Sequence, residues 1–216
     1  MAVTLSDIVA SSQAERLATG FVFTEGPLWH PDGYLLFVDI RRSQIVKLVP
    51  GSAPEIIREH SGESNGMTFD AQGRVVICEM VNRRVTRLEA DGSYTVLADR
   101  WHNQRLNRPN DVVGTSDGSL YFTNPGRERL DPAVVEMAFN SVHRIRPDGT
   151  MDLIIPNVDY PNGLAFSPDE RLLYVANTRP GQYITVYDVH ADGTVSHGRH
   201  LRRCPRRMPR TASRTA

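Results

Sequence analysis

The chain is almost without lysine: Lys47 stands alone beside 24 arginines. It has two cysteines, Cys78 and Cys204, too few for the disulfide framework of a small secreted domain. No apolar run nears the roughly 18 residues that a membrane-spanning helix needs. The opening "MAVTLSDIVASSQAERLATG" has no basic stretch leading into an apolar one, so no secretory signal is expected. Net charge is also absent, 25 basic residues balancing 25 acidic ones. What is present is ordinary globular usage, 40% hydrophobic and 23% charged over 216 residues, enough to bury a sizeable core. A soluble, cytoplasmic protein with no membrane partner is the expectation.

The zero net charge hides an asymmetry. The last 18 residues, "RHLRRCPRRMPRTASRTA", hold 7 arginines and no acid, leaving 18 basic against 25 acidic residues in the body. A basic arm suggests nucleic acid, but this one lacks interleaved aromatics and the body is acidic, so no nucleic-acid partner is expected. Two prolines and little alternation predict that residues 199–216 are disordered. In an arginine-rich chain they read as the product of a shifted frame.

The body repeats itself. "EGPLWHPDGYLLFVDI" from Glu25, "SNGMTFDAQGRVVICEM" from Ser64, "PNDVVGTSDGSLYFTN" from Pro109 and "PNGLAFSPDERLLYVAN" from Pro161 share one plan. Each opens on a tight turn, continues as a strand, turns through a Gly- or Asp-bearing tip, and returns as an apolar strand. A third strand with alternating arginines follows ("QIVKLV", "RVTRLE", "SVHRIR", "YITVYD"), then a fourth. The landmarks Gly26, Gly66, Asp111 and Gly163 recur after 40, 45 and 52 residues. Strands bounded by Gly, Pro, Asp and Asn at a period near 40 are the signature of propeller blades. The fold class is all-β, a β-propeller with about four blades over residues 15–198, after an N-terminal segment of residues 1–14. The arginine-rich third strands are expected toward the outside, and only "LDPAVVEMAF" has a helical pattern.

The innermost strand of a blade faces the central channel, so a polar residue at its start points into the channel mouth. Glu25, Asn65, Asn110 and Asn162 hold equivalent places. All four offer oxygen, which hard cations prefer. Asn-Gly is also a common turn pair, and Asn65 reads as a turn residue. Glu25 is no turn former, Asn110 is followed by Asp111, and Asn162 is balanced between the two readings.

"FTEGPLWHPDGYLLFVDI", "RLNRPNDVVGTSDGSLYFTNP" and "YPNGLAFSPDERLLYVANT" together resemble the senescence marker protein (regucalcin)/gluconolactonase family, over residues 15–198. The resemblance implies a six-bladed propeller that holds a divalent metal in its channel and hydrolyses sugar lactones or related compounds. It implies metal ligation by Glu25, Asn110 and Asn162, and substrate binding by Arg108 and Asn110. From the residues alone, Arg108 also reads as a surface salt-bridge partner. Calcium is the first choice of ion, with zinc, magnesium or manganese as alternatives. Asn124 stands where the family often has Asp.

The family's general base is an Asp that opens a later blade, and no residue of this chain matches it. A chain truncated or frameshifted before blades five and six is therefore expected, with little or no turnover. Asp111 and Glu63 remain as substitute bases. The rival to a lactonase is a non-enzymatic propeller that binds a small molecule, metal or protein.

Overall fold

The computed structural model describes residues 7–9, 11 and 13–203. Four four-stranded antiparallel sheets follow one another along the chain as blades. Blade one comprises β1 (Thr24–His30), β2 (Tyr34–Asp39), β3 (Gln44–Leu48) and β4 (Glu55–Arg58). Blade two comprises β5 (Ser64–Phe69), β6 (Val75–Glu79), β7 (Arg84–Leu88) and β8 (Tyr94–Ala98). A two-stranded ribbon, β9 (Arg100–Trp101) with β10 (Gln104–Arg105), leads to blade three. Blade three is β11 (Val112–Gly114), β12 (Leu120–Asn124), β13 (Ser141–Ile145) and β14 (Met151–Ile155). Blade four is β15 (Pro161–Phe166), β16 (Leu172–Asn177), β17 (Tyr183–Val189) and β18 (Val195–Arg203). The strands of each blade pair in chain order, and β5 packs against both β1 and β11, as β11 does against β15.

The core lies between blades because a strand sends alternate side chains to opposite faces. Val75 and Ile77 of β6 join Leu36, Val38 and Ile45 of blade one, whereas Val76 and Cys78 join Val112, Leu120 and Phe122 of blade three. Tyr121, between Leu120 and Phe122, faces blade four with Leu164, Leu173 and Val175. Both faces of these strands are therefore apolar, which explains their short unbroken hydrophobic runs. Burying a side chain such as Ile77 contributes roughly 1.5–3 kcal/mol.

The second strand of each blade ends in a buried polar residue: Asp39, Glu79, Asn124 or Asn177. Three of them accept backbone N–H groups from the chain entering the same blade. Asp39 takes those of Val22 (2.9 Å) and Phe23 (3.2 Å), Asn124 that of Asn107 (2.8 Å), and Asn177 that of Tyr160 (2.6 Å). Glu79 instead gathers Arg58 of blade one together with Asn82, Arg84 and Thr86 of its own blade. Thus Asn124 does by its amide oxygen what Asp39 does by its carboxylate.

Three expectations are corrected. The opening dipeptides are not turns: in blades one, two and four the register slips between Glu25 and Leu28, Ser64 and Met67, and Pro161 and Leu164, a one-residue bulge inside the strand. The arginine-bearing third strands lie in the outer half of each blade, between the second and fourth strands, as expected. All of β13 is buried, and Arg144 is accommodated there by Asp152 (2.6 Å) and the Asp192 carbonyl (2.6 Å). "LDPAVVEMAF" forms no α-helix; Pro132–Val134 is one 3-10 turn, started by the Asp131 side chain accepting from Ala133 N. Finally, β18 runs to Arg203, five residues past the boundary placed at 198, because the seven-residue β17 offers its backbone as far as Tyr183 opposite Arg203. The expectation of disorder for residues 204–216 lies outside the described residues. Among the described residues, no helix is long and apolar enough to cross a membrane.

Candidate metal centre and active site

The bulges decide where the site forms. A bulge puts two residues opposite one and re-aims the side chains beside it. At the start of blade three, Asn110 N donates to Thr123 O while Thr123 N donates to Asp111 O, both at 2.9 Å, so one residue faces two. The result across the four blades is a single cavity of about 250 Å³, lined by Glu25, Asn65, Asn110, Asp111 and Asn162. The three residues expected to ligate a metal are therefore brought together. Asn65, read as a turn residue, lines the same cavity.

The backbone here is tightly pinned. Gly66 N donates to Asn110 O at 2.7 Å, joining blades two and three, and Thr123 Oγ1 donates to Asn162 O at 2.7 Å, joining blades three and four. Gly66 is required by this approach: a Cβ there would lie 2.5 Å from Asp111 Cα and 2.9 Å from Asn110 O. Gly26 is required twice over, by its φ of +53° and by the Asn65 carbonyl, into which a Cβ would run.

The donor set suits a hard cation. The Nδ2 groups of Asn65 and Asn110 both face Met80 Sδ, at 3.7 and 3.9 Å. Among the described residues, the amide oxygens of Asn65, Asn110 and Asn162 and the Glu25 carboxylate have no hydrogen-bond partner. Unpartnered oxygens around a small cavity are what an oxygen-seeking ion requires. The set is poor in carboxylates, and no group of three His, Cys, Asp or Glu able to hold a metal occurs among the described residues.

Asp111 is the second carboxylate of the cavity. Its Oδ1 accepts from Val112 N at 2.9 Å and its Oδ2 from Leu164 N at 3.1 Å. Burial pushes its pKa up to about 6, the two backbone hydrogen bonds resist, and the Glu25 charge adds to the rise. Its sequence signal was its position after Asn110 in "RPND". The other substitute base, Glu63, does not line the cavity; its Oε2 pairs with Arg108 Nη2 at 2.8 Å. Arg108 likewise stands outside the lining. These two residues each precede a cavity asparagine, Asn65 and Asn110, by two positions in the chain.

The chain matches the family model described as SMP-30/Gluconolactonase/LRE-like region over residues 23–210. It is 33% identical over 202 residues to a gluconolactonase of Zymomonas mobilis, across 85% of this chain and 57% of that one. The structure of a gluconolactonase from Xanthomonas campestris aligns with a TM-score of 0.77 and 34% identity, over 83% of this chain and 62% of that chain. A regucalcin from Agrobacterium tumefaciens, described as calcium-binding, shares the fold at TM-score 0.65 and 19% identity, over 84% of this chain and 59% of that one. The chain thus spans less than two thirds of the length of each of these relatives.

Proposed function

The chain belongs to the SMP-30/gluconolactonase/LRE-like family, and from that premise we propose that its cavity binds a divalent metal ion and opens the ring of a small lactone, a sugar lactone or a close relative. In this reading Glu25, Asn110 and Asn162 hold the ion, calcium first, with zinc, magnesium or manganese as alternatives. The ion would supply Lewis acidity at the lactone carbonyl. One carboxylate among amides leaves it with residual positive charge.

The chain's own residues do the rest. Asp111 is held on two backbone amides, with a pKa raised to about 6, near the working pH of a group that accepts a proton from water. Arg108 and Asn110 orient the substrate's hydroxyls, Arg108 from its ion pair with Glu63. A cytoplasmic setting fits the free, buried Cys78.

The observation that supports this reading most is the convergence of four blade openings on one small cavity. Its test is to strip the protein with a chelator, titrate each ion by calorimetry, and assay lactone hydrolysis with and without it. Ion binding, and any ring opening above the uncatalysed rate appearing only with the ion, are expected. Failure to bind any of the four ions, or hydrolysis indifferent to them, would sink the reading. The scarcity of carboxylates favours one second reading, a propeller that binds ion and ligand without turnover.

A further inference from the structure

A larger groove of about 500 Å³ lies between blades three and four, lined by Arg127, Tyr160 and Arg179 among others. Arg127 follows β12, Arg179 follows β16 and Tyr160 immediately precedes β15. In the antiparallel ladder Pro161 faces Asn177, so the end of β16 and the start of β15 share one end of the blade. That end also carries Asn162, two residues beyond Tyr160. At about 3.3 Å per residue Tyr160, which lines the groove, and Asn162, which lines the cavity, are roughly 7 Å apart along the chain, a span comparable to a six-carbon sugar acid.

The groove carries arginines whose charge no carboxylate among the described residues takes up. Arg74, Arg84, Arg87, Arg144 and Arg146 each hold a carboxylate. Among the described residues, Arg127 and Arg179 of the groove hold none, nor does Arg129 beside it. The guanidinium groups of Arg179 and Arg129 lie 5.2 and 5.9 Å from the centre of the same Tyr160 ring, close enough for cation–π attraction. The backbone at Arg127 is fixed by Arg127 N donating to Asn140 Oδ1 at 3.2 Å. The two acids of the groove are engaged by neutral donors: Glu128 Oε2 accepts from Asn140 Nδ2 (3.3 Å) and Asp159 Oδ2 from Tyr183 OH (3.1 Å). They therefore lower the local positive charge without pairing with the arginines. Forked guanidinium donors without a carboxylate suit the oxygens of phosphate or carboxylate.

We infer that this groove is an anion subsite, which binds a phosphate or carboxylate group carried at the far end of a ligand whose ring end occupies the cavity. The inference rests on the lactonase reading for the ring end alone, and deepens it by making the substrate an anionic sugar lactone. The probes are gluconate, 6-phosphogluconate, glucarate and inorganic phosphate, titrated by calorimetry into the calcium-loaded protein at low and high salt. 6-Phosphogluconate or glucarate is expected to bind about tenfold more tightly than gluconate at low salt, with the advantage shrinking as salt screens the charges. The larger gain identifies the anion as phosphate or as carboxylate. The double variant R127Q/R179Q should abolish the advantage and leave gluconate binding unchanged, whereas R171Q, an exposed arginine outside the groove, should do neither. Equal affinity for gluconate and for the ligands with a second anionic group, or an advantage that survives R127Q/R179Q, overturns the inference. Arginine-dependent binding of 6-phosphogluconate and phosphate, with no hydrolysis of any lactone, would instead keep the anion subsite and sink the lactonase reading.

Discussion

The Oδ2 of Asp111 accepts the backbone N–H of Leu164 at 3.1 Å, across the boundary between blades three and four. This contact makes Asp111 both a member of the cavity and a tie between blades, while burial of Asp111 and of His143 gives the fold an opposed pair of titrations. Burial raises Asp111 from 3.8 to about 6, so its contribution to stability falls as pH rises through that window. Burial lowers His143 from 6.5 to about 4, so its contribution rises with pH between those values. Each is worth about 3 kcal/mol at its limit. In chelator, the unfolding free energy is therefore expected to change little between pH 4 and 6 on account of these two groups. Asp111→Asn removes the opposing titration, and its stability should climb by up to about 3 kcal/mol over the same range. Denaturant unfolding at each pH measures both; a slope unchanged by the substitution refutes the assignment.

Gly66→Ala tests the close approach of blades two and three. Its Cβ would meet Asp111 and Asn110 backbone atoms, which cannot swing away as a flexible side chain can. A loss of about 3 kcal/mol is expected, at the upper end of overpacking costs. Gly33→Ala is the comparison: Gly33 has φ +84° but nothing within 4 Å of the added atom, so backbone strain alone should cost about 1 kcal/mol. Equal losses in the two variants, measured by chemical denaturation, would show that the blades separate easily at Gly66.

The sequence states blade count and strand order because each blade spells out the same four strands, and the repeat places Glu25, Asn110 and Asn162 at corresponding starts. Bulges were illegible, since "NG" in a strand and "NG" in a turn are written alike; only the register, with Met67 opposite Ile77 and Ser64 opposite Glu79, separates them. For the same reason Asn65 was assigned to a turn while lining the cavity. Arginine burial in a third strand is not legible either, since it depends on distant partners: Arg144 is buried against Asp152 of the neighbouring strand and a carbonyl from blade four. The equivalence of Asn124 with Asp39 appears only when their hydrogen bonds are seen, because the common element is an acceptor oxygen rather than a charge.

Glu25→Gln and Asn65→Ala separate ligation from packing. Glu25 is exposed, and its carboxylate has no protein partner among the described residues, so removing its charge should leave stability within about 0.5 kcal/mol of the parent. Divalent-ion affinity should fall by about tenfold or more, because a carboxylate is the strongest of the hard ligands present. Asn65 is buried against Met80, so its truncation should cost about 1 kcal/mol of stability while weakening the ion less than Glu25→Gln does. Calorimetric titration of both variants decides the matter, and equal ion affinities would make Glu25 a structural residue.

The Arg108–Glu63 pair offers a separate reading of substrate contact. Arg108 Nη2 lies 2.8 Å from Glu63 Oε2, and both side chains are partly open to solvent. The pair therefore contributes at most about 1 kcal/mol to stability. If Arg108 orients ligand hydroxyls, Glu63 competes with the ligand for its donors and also fixes where they point. Glu63→Gln retains a hydrogen-bond acceptor but removes the charge, so Arg108 should stay in place and be freer to engage the ligand. Gluconate affinity is expected to hold or rise modestly in Glu63→Gln, and to fall about tenfold in Arg108→Gln, with stability changed by less than about 1 kcal/mol in either. The double variant should match Arg108→Gln alone, because Glu63 acts only through Arg108. A loss of affinity in Glu63→Gln as large as in Arg108→Gln, added again in the double variant, would instead place Glu63 in contact with the ligand, as a substitute base requires.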